Sequence, residues 1–195
     1  MNRGHMSSHD RSLGVSSLAT GAAAGAIAYV LGYLFAYLTQ GSQVEDQLAG
    51  LNLLADLFGS DPIPTWQGVG WLFYNGHFVN TEITLPIGGV RTVNLIAEAD
   101  GGSLTLLYII PPVLLGLAGV AAARYAGASD LAAGAQSGAL VGVGYLPLAI
   151  GGAFLFRYGD GAVAPDLVTA VLLAGAVYPV AFGALGGVLG AVLAD

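Results

Sequence analysis

The sequence predicts an all-α integral membrane protein, a four-helix transmembrane bundle with an extracellular cap. Three observations predict it. Only 9% of the 195 residues are charged, against about 25% in a typical soluble domain. Hydrophobic residues make up 55% of the chain, and mean hydropathy is +0.74. The apolar residues also gather into four runs, each of about the 20 residues needed to cross a hydrocarbon core or longer. One long mixed segment separates the first run from the other three. A chain of this length makes one compact bundle, not two domains.

In chain order, residues 1–17 are polar and read as a disordered cytoplasmic tail, and 18–195 as one membrane domain. The first span is about 18–38. Its Gly21 and Gly25 form a small-xxx-small pair that permits close helix approach. Tyr29, Tyr33 and Tyr37 recur at i, i+4, i+8 on one face. The cap, 39–103, opens with an amphipathic helix from Gln43 to Phe58. Val44, Leu48, Leu51, Ala55 and Phe58 form its apolar stripe, and Glu45, Asp46 and Asp56 face away. Pro62 and Pro64 end that helix. Thr65 then opens an aromatic segment. After it, Glu82–Ile96 switches to two β-prone runs around Gly88-Gly89 and reads as a small hairpin, with Pro86 at its edge or turn. The remaining spans are about 104–123, 131–156 and 166–194. Glycine ridges mark the last two: Gly134, Gly138 and Gly142, then Gly183, Gly186, Gly187 and Gly190.

Charge sets the orientation and narrows the function classes. Net charge is −7 and the pI about 4.5. All five basic residues are arginines. Arg3, Arg11 and Arg124 fall on one side of the bundle, Arg91 and Arg157 on the other. The positive-inside rule makes the first side cytoplasmic, in the cell membrane, and puts the cap outside. An acidic, lysine-free chain suits concentrated salt, where repulsion is screened, which points to a halophile. It gives nucleic acid no basic patch to bind. Cysteine is absent, so there is no disulfide or thiolate chemistry. Apart from Asp166 at the very start of the fourth, no Asp, Glu, Lys, Arg or His falls inside a span, which disfavours proton relays and charge-driven antiport.

Two constellations are candidates for a site. The first lies at the level of the prolines. Pro111-Pro112, Pro147 and Pro179 each delete a helix hydrogen bond, at roughly 10 to 18 Å below the outer helix ends. Tyr33, Tyr108, Tyr145 and Tyr178 supply hydroxyls near those levels. Together they outline a polar-aromatic pocket opening outward, on the pattern of transporters with interrupted helices. The plainer reading is proline of the kind common in membrane helices, repaired by interhelical bonds. The second is the aromatic run itself, Trp66, Trp71, Phe73, Tyr74, His77 and Phe78. It has three readings: an interfacial anchor, which is the plainest; a half-inserted lid; and a partner-docking surface. No catalytic motif, phosphate loop or metal-ligand cluster accompanies these residues, so the sequence reads as non-enzymatic, with no metal and no cofactor.

Four stretches resemble a family of small, uncharacterised haloarchaeal membrane proteins: GWLFYNGHFV from Gly70, NLIAEAD from Asn94, GYLPLAIGGAFLF from Gly144, and DLVTAVLLAGAVYPVAFGALGG from Asp166. Members of that family are sometimes loosely labelled transporters. The resemblance implies a multi-pass membrane protein from a halophile, and it carries over no binding or catalytic residue. The expectation is a structural component of a membrane assembly. It is embedded in lipid and associates with itself or with other chains through its glycine ridges. The alternative is a transporter or channel for a small neutral solute or lipid-like ligand.

Overall fold

The computed structural model describes residues 8–57, 59–85, 87–99 and 102–193, with side-chain detail from residue 15 onward. Arg3, Phe58, Pro86 and Asp100, which entered the reading above, lie outside the described residues, as does the side chain of Arg11.

Four helices are long and apolar enough to cross a membrane: Val15–Leu57, Ser103–Tyr125, Leu131–Leu155 and Leu167–Val192. The first belongs to α1, Ser8–Leu57, a single helix of 50 residues and about 75 Å. Two expectations are corrected here. Ser8–Ser17 is helical and continuous with the first span. The cap helix from Gln43 is not a separate surface helix but the C-terminal end of α1, continuous with the first span. Nothing in Thr39–Gln43 breaks a helix, because it lacks proline and a single glycine costs only about 1 kcal/mol. Packing then holds the extension: Val44 and Leu48 are buried, and their side chains close over Gly68.

α2 is Thr65–Asn75. The hairpin forms as expected from β1, Thr81–Thr84, and β2, Val90–Val93, paired antiparallel. Gly88 and Gly89 make the turn with φ of 87° and 95°, a region that excludes most side chains. A third strand, β3, Val163–Pro165, pairs with the other edge of β1 and gives the order β2-β1-β3. α3 is a single turn, Leu95–Glu98, capped by the Asn94 side chain.

The second span enters as a 3-10 turn, Ser103–Tyr108, and continues as α4, Ile110–Tyr125. The third is α5, Leu131–Ala139, and α6, Val141–Leu155. The fourth runs α7, Leu167–Thr169, then a π-helical stretch Ala170–Val177, then α8, Tyr178–Val192. The proline expectation changes accordingly. Pro111-Pro112 sit in the first turn of α4, where a missing N–H is an orphan anyway. Pro147 lies inside α6, and Pro179 follows the π-helical stretch without a break in the helix, so both delete a helix hydrogen bond as expected.

The glycine ridges are used within the chain. A Cβ on Gly138 would strike the Gly183 carbonyl and approach Gly187 Cα at 2.9 Å. Gly119 meets Gly183 from the other side, at 3.0 Å to its Cα. Gly183 is thus where α4, α5 and α8 converge backbone to backbone. Gly186 closes on Gly116, and Gly187 on Gly134. Gly21 and Gly25 of α1 fit against Leu140 and Val141, and Gly144 of α6 fits against Ala22.

Candidate functional site

The aromatic segment is not an anchor at the surface. Gln67 through Asn75 of α2 are all buried, and His77 is 0% exposed. Trp66 and Phe78, at the two ends, remain partly open. Both faces of α2 are therefore packed. The helix descends along α6: Gln67 Nε2 donates to Arg157 O at 2.6 Å, Trp71 Nε1 to Phe156 O at 2.7 Å, and the Tyr74 hydroxyl to Ala149 O. Small residues make the descent possible. Phe156 lies flat over Gly70, Phe73 against Gly32, and the Leu107 carbonyl against Gly76.

The tip is a buried polar cluster. Phe73 O can only accept, so His77 Nδ1 carries the proton it shares at 2.8 Å. Nε2 is then the acceptor for the Tyr145 hydroxyl at 2.7 Å. By the same logic Tyr74 donates to Ala149 and accepts from Tyr29 at 3.2 Å. The rings of Tyr29, Phe73, Tyr145 and Tyr178 surround these groups. Burial raises the Tyr74 hydroxyl well above the ordinary tyrosine range, with the neighbouring Tyr29 adding to it.

Asn75 closes the tip. Its Nδ2 donates to Val79 O at 2.8 Å and Thr81 Oγ1 at 3.2 Å, and its Oδ1 accepts from Leu95 N at 2.8 Å. The last carbonyls of α2 are also taken. Leu72 O accepts from Gly76, Tyr74 O from His77 and Val79, and Asn75 O from Phe78. A half-helix whose C-terminal carbonyls were free would be a cation ligand set. Here they are consumed by the turn that follows, which sends Phe78 to φ 58°.

The sequence candidates divide. Tyr74, His77, Tyr145 and Tyr178 come together around the tip, while Trp71 turns to Phe156 O. Tyr33 instead donates to Trp66 O at 3.0 Å near the outer end, and Tyr108 to Asn94 Oδ1 at 3.1 Å in the cap. Pro179 lies beside Tyr178 near the tip, while Pro111 and Pro112 start α4. Sequence reading missed Tyr29 as a member of the cluster, although its spacing from Tyr33 placed it on the right face. It also missed Asn75, whose polar side chain inside an apolar run was the available signal. Among the described residues no group of three or more His, Cys, Asp or Glu is placed to hold a metal. Nor does any buried side-chain nitrogen or oxygen lack a partner.

Burial lowers the His77 pKa from 6.5 to about 4, against a smaller raising effect of the Phe73 carbonyl. A histidine depressed in the fold binds its proton more readily when unfolded. Its stability contribution is complete above pH 6.5 and is lost as pH falls toward 4, about 3 kcal/mol in all. The titratable groups facing it, Tyr74, Tyr145 and Tyr178, stay neutral through that window. Thermal unfolding midpoints should drop between pH 6.5 and 4 in the unmodified protein, and His77→Gln should flatten the drop. An equal drop in both would overturn the assignment.

The class this defines is a helical bundle with four helices long and apolar enough to cross a membrane and a further helix, α2, buried against them. The chain belongs to DUF7978, a family of unknown function, whose model matches residues 1–194. No curated protein and no solved structure matches it.

Proposed function

We propose that the chain is an integral protein of the cell membrane, from a halophile, that serves as a structural part of a membrane assembly and is not an enzyme. In this reading both termini are cytoplasmic, and the outer half of α1 and the sheet stand outside. The bundle binds lipid around its outward side chains, such as Ile27, Leu117 and Leu185, each more than half exposed. It has no role with nucleic acid. The observation that carries the reading is the inserted α2. The hydroxyls and ring nitrogens that would line a solute path are paired with backbone and with one another, and aromatic rings fill the space between them. The glycine ridges are occupied inside the chain, so the contact with a second copy or another chain is assigned to the outer faces and the cap.

Three measurements test this. Gentle extraction followed by native mass spectrometry should give a discrete complex heavier than the 19.6 kDa chain. A monomer alone would overturn the assembly role. Reconstituted vesicles should pass glycerol and urea no faster than empty ones. Flux that Tyr145→Phe removes would instead establish the transporter alternative. For orientation, Ile87 at the hairpin turn is 96% exposed. Ile87→Cys should react with an impermeant maleimide on intact cells, and protection until lysis would reverse the topology.

A further inference from the structure

A chamber of about 470 Å³ lies under the cap, beside α2 but away from the His77 cluster. Six elements wall it. α1 supplies Leu48, α2 Trp71, β1 Ile83, α3 Leu95, the 3-10 turn Leu104 and β3 Val163. Only Gln47 and Glu98 among its lining side chains are polar, and both are solvent-exposed. The indole N–H of Trp71 is already committed to Phe156 O. The lining surface is therefore mostly apolar, which favours an apolar guest. The volume falls in the range of small-molecule sites, about 300–1,000 Å³.

Position selects the guest. Leu104 is one residue into the second span, and Gln40, hydrogen-bonded to Ser103, marks the same level on α1. The chamber thus rises directly from the outer ends of the apolar helices. Val44, one turn beyond Gln40 on α1, and Leu104 line it nearest that level, and Leu51, 55% exposed, stands at its far rim. At the mouth Glu98 is bound by Arg91 Nη2 at 3.0 and 3.2 Å. That pair is neutral in sum, but of the two residues it is the carboxylate that lines the chamber. An anionic head would face it, whereas a head with no net charge would not be repelled. We propose that the chamber holds the alkyl chain of a single-chain lipid with a net-neutral head, taken from the adjoining leaflet.

The chain has two tryptophans, so Trp66→Phe leaves Trp71 as sole reporter inside the chamber. In phosphatidylcholine nanodiscs, chain-brominated lysophosphatidylcholine should quench Trp71 saturably and at least twofold. Excess unbrominated lysophosphatidylcholine should restore the signal. Ala99→Phe and Val163→Phe, which fill the chamber from two different elements, should each reduce quenching to the level of dissolved bromolipid. Near-UV circular dichroism checks that the variants keep their packing. A chain-brominated fatty acid at pH 7 should need at least fivefold more probe. Quenching that rises without saturation and ignores the competitor would overturn the site. Equal potency of the fatty acid would overturn the head-group assignment.

Discussion

Gly138→Ala should destabilise the bundle by about 3 kcal/mol or more, while Gly151→Ala should leave it unchanged or raise its stability by up to about 1 kcal/mol. Both glycines sit in the third span and both substitutions add one methyl. At Gly151 the added carbon meets nothing within 4 Å, so only the gain in helix propensity remains. At Gly138 it strikes the Gly183 carbonyl and crowds Gly187 Cα at 2.9 Å. The atoms in the way are backbone and cannot rotate aside as a side-chain end would. α8 must move off α5, and because Gly119 of α4 already meets Gly183 from the other side, it has no free space to move into. The cost lies at or above the usual range for overpacking, about 1–3 kcal/mol. Thermal unfolding of the two variants in one detergent checks this. Equal midpoints would mean that the three helices do not converge at Gly183.

The four long helices were legible because length and hydropathy suffice to find a membrane-length helix. The last three begin and end within two residues of their expected limits, setting aside Ala194, which lies outside the described residues. The hairpin was legible from Gly88-Gly89, where the backbone demands positive φ. β3 was not, since three residues carry no alternation and its pairing with β1 depends on contacts far along the chain. The continuity of α1 was hidden by charge. Glu45, Asp46 and Asp56 made its C-terminal end look like a separate surface helix, yet charge on one face does not end a helix. The glycine ridges were legible as sites of close approach but not as to partner, because the same spacing serves contacts within a chain and between chains. The aromatic segment was the least readable part. Trp, Tyr and Phe with interspersed glycine fit an interface and an interior equally well. What decides between them is where the polar atoms go. Trp71, Tyr74 and Gln67 reach carbonyls on and just beyond α6, 75 or more residues away in sequence.

The insertion depends most on Asn75, so Asn75→Leu should release the tip of α2. Leucine keeps nearly the same volume and stays apolar, so packing alone would predict little change. Hydrogen bonding predicts a large one. The side chain of Asn75 serves Val79 O, Thr81 Oγ1 and Leu95 N at once, the first two fully buried and the third partly so. Each buried group left without its partner costs about 1–3 kcal/mol. Val79 and Leu95 each lose a backbone bond, and Thr81 can turn its hydroxyl elsewhere, so a total of about 2–5 kcal/mol is expected. The tip ties α2 to β1 and α3, so the loss should be local before it is global. The chain has no cysteine, which makes the test clean. Val79→Cys, at a position 0% exposed, should resist maleimide in the otherwise unmodified protein and react at least tenfold faster once Asn75→Leu is added. Asn75→Asp would keep the acceptor for Leu95 N but lose both donors and bury a charge, and should be no better tolerated than leucine. If Val79→Cys stays protected beside Asn75→Leu, shape and not hydrogen bonding holds the segment in place. The polar cluster around His77 would then be a consequence of the insertion, with no part in fixing it.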